Sequence, residues 1–165
     1  MLDAETAVRA EAVLAAFRAK GLMLATVESC TGGLVAGALT AIAGSSDVVE
    51  RGFVTYSNRA KSELVGVPEA LLAAHGAVSE ETARAMAEGA LARAPVAAAV
   101  SITGVAGPGG GSAEKPVGLV HFGCAVTGGE TAHRRMLFGD LGRDEIRRRS
   151  VLVALDLLRE AAARA

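Results

Sequence analysis

A chain of 165 residues with 51% hydrophobic and 21% charged residues, and a net charge of -1, has enough apolar surface to bury a core and no sign of a disordered composition. The balanced charge gives no basic excess for nucleic acid, and aromatics at 3% are too sparse for a base-stacking platform. The longest apolar run, Leu34 to Ala43, is too short for a bilayer and is interrupted by Gly37.

The first predicted element is a helix from Asp3 to about Lys20. Ala10, Val13, Leu14 and Phe17 form one stripe, Asp3 is the N-cap, and Gly21 is the stop. Leu22 to Glu28 follows as a near-continuous apolar strand, the pattern of a strand covered on both faces. Gly32 to about Ala43 reads as a helix that is apolar on most sides and therefore deeply buried against the sheet. Ser45-Ser46-Asp47 is a loop or a new cap, and Gly52 to Tyr56 a second strand. Ser57 and Asn58 open a helix carrying Lys61, and Gly66 and Pro68 break it before a further helix from Pro68 to about His75. Ser79-Glu80-Glu81 starts a helix to about Ala94, with carboxylates where the helix dipole favours them. Val96 to Thr103 is a third strand, and Gly104 to Pro116 a long glycine-rich loop of the kind that is functional when ordered. Leu119 to Thr127 and Thr131 to Phe138 pair as a hairpin across Gly128-Gly129, and a helix from about Arg143 to Ala163 ends the chain.

Helices and strands alternate through two thirds of the chain before the hairpin. That order predicts one domain over residues 1–165: a three-layer α/β/α sandwich with a mixed, mostly parallel sheet and a C-terminal hairpin plus helix. The acidic start, Met1 to Glu5, is unlike a basic secretory leader, so a cytoplasmic location is expected. Cys30 and Cys124 stand apart, without CxxC or Cys-His spacing, as expected of reduced buried thiols.

Ligands in open α/β sheets bind beyond the carboxyl ends of the strands. Two such ends are polar and rich in glycine: Ser29-Cys30-Thr31-Gly32-Gly33, and Thr103 to Ser112. Neither matches a P-loop or GxGxxG. Helix N-terminal N–H groups lack partners within the helix, so a strand-to-helix junction can bind an anion or a developing oxyanion. Strand alternation puts Ser29 and Thr31 on one side and Glu28 and Cys30 on the other. The plain reading of Ser29 or Thr31 is a helix cap. Tyr56 and Lys61 lie five residues apart across a strand-to-helix turn. A buried neutral lysine can serve a serine as general base, whereas an ordinary lysine there is solvated and an ordinary Tyr56 is a half-buried strand residue.

Other chemistry-bearing residues read as structural. Cys30 would need a histidine, and none lies in a recognisable motif. A two-residue turn at Gly128-Gly129 sets His133 opposite Cys124 and His121 opposite Met136, so the two histidines are expected on different faces and no metal site is expected. His75 reads as a helix-end residue, and Arg147, Arg148 and Arg149 as a solvated helix segment or subunit contact.

Six blocks in order, Glu28-Ser29-Cys30-Thr31-Gly32-Gly33, Gly44-Ser45-Ser46, Gly52 to Asn58 with Lys61, Gly76 to Ser79, Gly104 to Gly110 and Lys115-Pro116-Val117-Gly118, resemble the CinA C-terminal domain family. Its enzymes include nicotinamide-mononucleotide deamidases. The similarity runs from about Ala10 to the last helix and is to the stand-alone form, without the molybdopterin-binding-like domain of longer members. The resemblance implies hydrolysis of the carboxamide of nicotinamide mononucleotide to nicotinate mononucleotide and ammonia, without a cofactor. Ser29 would attack, Lys61 would be the base, and Tyr56 would relay protons or orient the pair. Substrate contacts are expected from Thr31, Gly32, Gly33, Thr103, Gly104 and Gly107, with Lys115 toward the 5'-phosphate. Glu28 could steady Lys61 or the pyridinium ring, or be structural. One departure is Phe138-Gly139-Asp140-Leu141-Gly142-Arg143, where Gly, Asp and Arg are expected almost contiguous. A homodimer or larger assembly is expected, with no nucleic-acid or membrane partner. The rival reading is a nucleotide-binding or regulatory module that uses the same loops without turnover.

Overall fold

The computed structural model describes residues 2–165. Its elements are α1 (Ala4–Ala19), β1 (Leu24–Glu28), α2 (Leu34–Thr40), a 3-10 turn (Ser45–Asp47), β2 (Val49–Val54), α3 (Asn58–Val65), α4 (Glu69–His75), α5 (Glu80–Arg93), β3 (Ala98–Gly104), β4 (Leu119–Val126), β5 (Ala132–Leu137) and α6 (Arg143–Arg164). The five strands lie in the order β2-β1-β3-β4-β5. β1 is parallel to both β2 and β3, whereas β4 is antiparallel to β3 and β5. This is the three-layer sandwich that the alternation of elements predicts.

Strand periodicity distributes the core between the two faces. Leu24, Val100, Ile102, Val120 and Phe122 meet Leu14 and Phe17 of α1 and Ile146, Leu155 and Leu158 of α6. Ala25, Val27 and Ala99 face the other way, onto Val65, Met86 and Ala90 of α3 and α5. Fully burying a Leu or Phe side chain contributes about 1.5–3 kcal/mol, so the larger cluster fixes α1 and α6 firmly to the sheet. The second layer depends on close approach. A Cβ at Gly89 of α5 would overlap the Val65 carbonyl, and one at Gly123 of β4 would overlap the Ala83 carbonyl. The first absence lets α3 settle beside α5 and the second lets α5 settle on β4, and α3 carries Lys61.

Three expectations need correction. α2 is helical only over Leu34–Thr40 and buries Val35, Ala38 and Leu39 while Leu34 is exposed. It lies over the β2 edge of the sheet, where only one helix face finds strands to cover. β2 begins earlier than expected, at Val49, and ends at Val54, leaving Tyr56 outside the strand and 62% exposed. The hairpin connection is longer than two residues, running from Thr127 to Thr131, and β4 pairs with β5 as Gly123 with His133 and His121 with Arg135. That register differs by one residue from the expected one, and a one-residue slip moves every side chain to the opposite face.

Candidate active site

The carboxyl ends of β1, β2 and β3 converge, and backbone hydrogen bonds fix them together. Ser29 N–H donates to the Ile102 carbonyl at 3.0 Å and Thr55 N–H to the Glu28 carbonyl at 2.8 Å. Beyond β1 the chain turns at once, with Gly32 N–H closing on the Ser29 carbonyl at 3.0 Å. Gly32 and Gly33 have φ of 59° and 103°, a left-handed region that disfavours side chains, so the turn needs glycine at both.

Glu28, 1% exposed, reaches across this turn to the next helix. Its Oε1 accepts from Val35 N–H at 2.8 Å and its Oε2 from Ala36 N–H at 3.0 Å. The carboxylate thus caps α2, satisfying donors that the helix leaves open and placing a negative charge at its positive end. The structural alternative for Glu28 is the one realised; its carboxylate is engaged here and makes no hydrogen bond to Lys61.

Lys61 lies one turn into α3, whose N-cap Ser57 accepts from Ala60 N–H at 3.0 Å. The lysine is 1% exposed, with Nζ 3.1 Å from Ser29 Oγ and donating to the Thr55 carbonyl at 2.8 Å. Burial pushes its pKa below the ordinary lysine value, because a charged ammonium there loses hydration. With one N–H held by Thr55, the lone pair of a neutral amine can face the serine hydroxyl. Cys30 packs among the α1 and α6 side chains, and burial raises its thiol to about 12, so it stays protonated at neutral pH.

These groups open onto a cavity of about 280 Å³ that is also lined by Tyr56, Asn58, Thr103, Gly104, Gly107 and Arg143. Thr103 Oγ1 donates to the Ala77 carbonyl at 2.7 Å. Arg143, the first residue of α6, donates to the Gly107 carbonyl at 2.8 Å and to the Tyr56 hydroxyl at 3.1 Å, bridging the glycine loop to the far wall. Tyr56 shares the cavity with Ser29 and Lys61 without a hydrogen bond to either. Of the other expected contacts, Thr31, Gly32 and Gly33 stand behind the cavity wall. Lys115 stands away from it, its Nζ donating to the His75 carbonyl at 2.6 Å.

Sequence reasoning left Arg143 in doubt and misread Arg147. Arg147 Nε donates to the Cys30 carbonyl at 3.1 Å and its Nη2 to the Thr31 carbonyl at 3.3 Å, so it braces the turn after β1 and is not a free surface residue. Arg148 and Arg149 pair with Glu145, as expected of a helix surface. The corrected hairpin register brings His121 and His133 onto one face, with their ring nitrogens 2.9 Å apart. Burial, reinforced by His133 and Arg135, lowers His121 to about 4. Among the described residues no group of three or more His, Cys, Asp or Glu is placed to hold a metal ion. None of their helices is long and apolar enough to cross a membrane. A larger groove, about 730 Å³, runs between α1, β5 and α6; four of its charged side chains pair as Arg9–Asp156 and Arg134–Glu160, and it contains no nucleophile beside a base.

A family model described as CinA C-terminal domain matches residues 6–162. The nicotinamide-nucleotide amidohydrolase PncC of Escherichia coli K12 is 53% identical over 159 residues, which cover 96% of this chain and 95% of that protein. A CinA-like protein of Anaeromyxobacter dehalogenans 2CP-C is 54% identical over 149 residues; that match covers 90% of this chain but 36% of the longer relative, so the chain spans about a third of it. Among solved structures, the competence/damage inducible protein CihA from Agrobacterium tumefaciens superposes with a TM-score of 0.96 at 52% identity, covering 98% of each chain.

Proposed function

The chain belongs to the CinA C-terminal domain family, and from that premise we propose that it is a nicotinamide-nucleotide amidohydrolase, converting nicotinamide mononucleotide and water to nicotinate mononucleotide and ammonia by a Ser/Lys mechanism. The activity follows the relative named for it, which is matched over nearly its whole length. The observation that carries the mechanism is the buried contact of 3.1 Å between Lys61 Nζ and Ser29 Oγ.

An amide is a poor electrophile with a poor leaving group, so its hydrolysis needs an activated nucleophile, donors for the oxyanion and a proton for the departing nitrogen. In the proposed sequence Lys61 takes the Ser29 hydroxyl proton as Oγ bonds to the carboxamide carbon. Backbone N–H groups of the turn after Ser29 that are not already bonded to a carbonyl hold the resulting oxyanion. Lys61 returns the proton to the nitrogen, the C–N bond breaks, and ammonia leaves a nicotinoyl ester on Ser29. Water then attacks the ester, Lys61 accepts its proton and gives it back to Ser29 Oγ, and nicotinate mononucleotide departs. Tyr56 orients Arg143 across the cavity, and Arg143 with the Gly104-to-Gly110 loop receives the 5'-phosphate. Thr103 lines the same wall.

We place the enzyme in the cytoplasm as a homodimer or larger assembly, acting on a free nucleotide and not on nucleic acid. Exposed Leu34, Val54 and Leu141 support self-association. The test is release of ammonia from nicotinamide mononucleotide by the pure protein, with equimolar nicotinate mononucleotide. Binding without turnover, unchanged in Ser29→Ala, would leave the nucleotide-binding module as the better reading.

A further inference from the structure

Resting on the proposed nicotinamide-nucleotide substrate, we infer that the ring of Tyr56 is the group that recognises the positive charge of that substrate. Its π face receives the pyridinium, and so selects N1-glycosylated pyridinium carboxamides over neutral aromatic carboxamides of the same shape. A pyridinium favours a negative partner, yet no Asp or Glu is among the described residues that line the cavity. Glu28, next to Ser29 in the chain, spends both oxygens on the Val35 and Ala36 N–H groups. The face of an aromatic ring carries the negative end of its quadrupole, so it holds a cation without any formal charge.

The chain has four Phe, one Tyr and no Trp. Phe17 and Phe122 lie inside the larger apolar cluster, Phe138 packs against it and Phe53 against the smaller one, so all four phenylalanines are committed to the core. Tyr56 instead lines the cavity with Ser29 and Lys61 and is 62% exposed, which leaves ring surface for a ligand to cover. Arg143 Nη2 donates to its hydroxyl at 3.1 Å, and a grip on the oxygen steadies the ring without covering its faces. A side chain already held in place loses less freedom on binding. The two basic residues of the lining do not oppose the contact. Burial pushes Lys61 toward the neutral amine, and Arg143 is the group that meets the 5'-phosphate in the proposed complex.

The probes are nicotinamide mononucleotide and its neutral C-nucleotide counterpart, 3-carbamoylphenyl riboside 5'-phosphate, which keeps the ring size, carboxamide, ribose and phosphate and lacks only the charge. Calorimetric titration of Ser29→Ala measures both without turnover. With Tyr56 present, nicotinamide mononucleotide binds about tenfold more tightly than the neutral nucleotide. Adding Tyr56→Phe, which keeps the ring and drops the hydroxyl, leaves that ratio within about twofold, even where loss of the Arg143 contact weakens both ligands. Adding Tyr56→Leu lowers the ratio below about threefold, chiefly by weakening nicotinamide mononucleotide. Tyr56→Gln carries the same test if Tyr56→Leu fails to fold. Equal affinities with Tyr56 present, a ratio that survives Tyr56→Leu, or a ratio lost equally in Tyr56→Phe would overturn the inference and leave the amidohydrolase standing. A wild type that releases no ammonia, with a Ser29→Ala that binds neither nucleotide, would remove the proposed substrate and this inference with it.

Discussion

Thr55 and Lys61 are joined head to tail: the Thr55 carbonyl accepts from Lys61 Nζ at 2.8 Å, and that is the amine that stands 3.1 Å from Ser29 Oγ. A neutral carbonyl orients the amine without supplying a counter-charge. Burial is therefore free to lower the lysine pKa.

Activity should accordingly rise with pH through the depressed pKa of Lys61, because only the unprotonated amine can accept the serine proton. Lys61→Arg keeps a positive charge that stays protonated at any accessible pH. It is expected to be nearly inactive while binding nicotinamide mononucleotide within about tenfold, a difference of roughly 1.4 kcal/mol. Calorimetric titration beside an ammonia assay checks this, and robust turnover by Lys61→Arg would mean that the side chain supplies only charge.

Ser29→Ala should abolish deamidation in a folded protein, whereas Cys30→Ala should keep substantial activity. The thiol sits among core side chains with its pKa raised to about 12, so it offers no thiolate near neutrality. An inactive but folded Cys30→Ala together with an active Ser29→Ala would reverse the assignment of nucleophile.

Glu28→Gln should destabilise the fold by about 1–3 kcal/mol, the usual range for leaving a buried donor unpaired. An amide has one acceptor oxygen and turns its NH₂ group toward one of the two N–H groups that the carboxylate now satisfies. Denaturant unfolding measures the loss, and a midpoint unchanged from the wild type would contradict the cap.

The stacked histidines make stability depend on acid. His121 is lowered from 6.5 to about 4 in the native state, chiefly by burial and then by His133 and Arg135. Below its ordinary pKa the unfolded chain binds the proton more readily, so stability is lost as pH falls from about 6.5 through about 4. Glu80, paired with Arg84, lies 3.5 Å from His133 and opposes the effect only in part. Thermal melts between these limits should show a flatter pH dependence for His121→Gln than for the wild type.

Much of the architecture was legible because it is written in local periodicity. Asp3, Ser57 and Ser79 stand at the helix starts where their side chains cap, and the apolar runs became strands. The hairpin register was not legible, since Gly128-Gly129 suggests a tight turn while the connection extends to Thr131. That single residue of difference brings His121 and His133 together. The proximity of Ser29 and Lys61 could be carried only by family resemblance, because spacing alone does not report burial. Arg147 had no signal at all: its partners lie 116 and 117 residues away, and nothing local distinguishes it from Arg148.

Ser29 and Lys61, the proposed reacting pair, hang from the sheet's own ladder, since the Glu28 carbonyl holds Thr55, the Thr55 carbonyl holds Lys61, and the Ile102 carbonyl holds Ser29. Their separation is inherited from the spacing between neighbouring strands, which is nearly invariant from one protein to another. The Val105-to-Gly118 connection, by contrast, hangs over the cavity as a loop and can lengthen, shorten or change composition at modest thermodynamic expense. On the proposed function, chemistry and selectivity fall to separate parts of the backbone. Replacing that loop offers a way to accept carboxamides attached to other groups without retuning the nucleophile and its base.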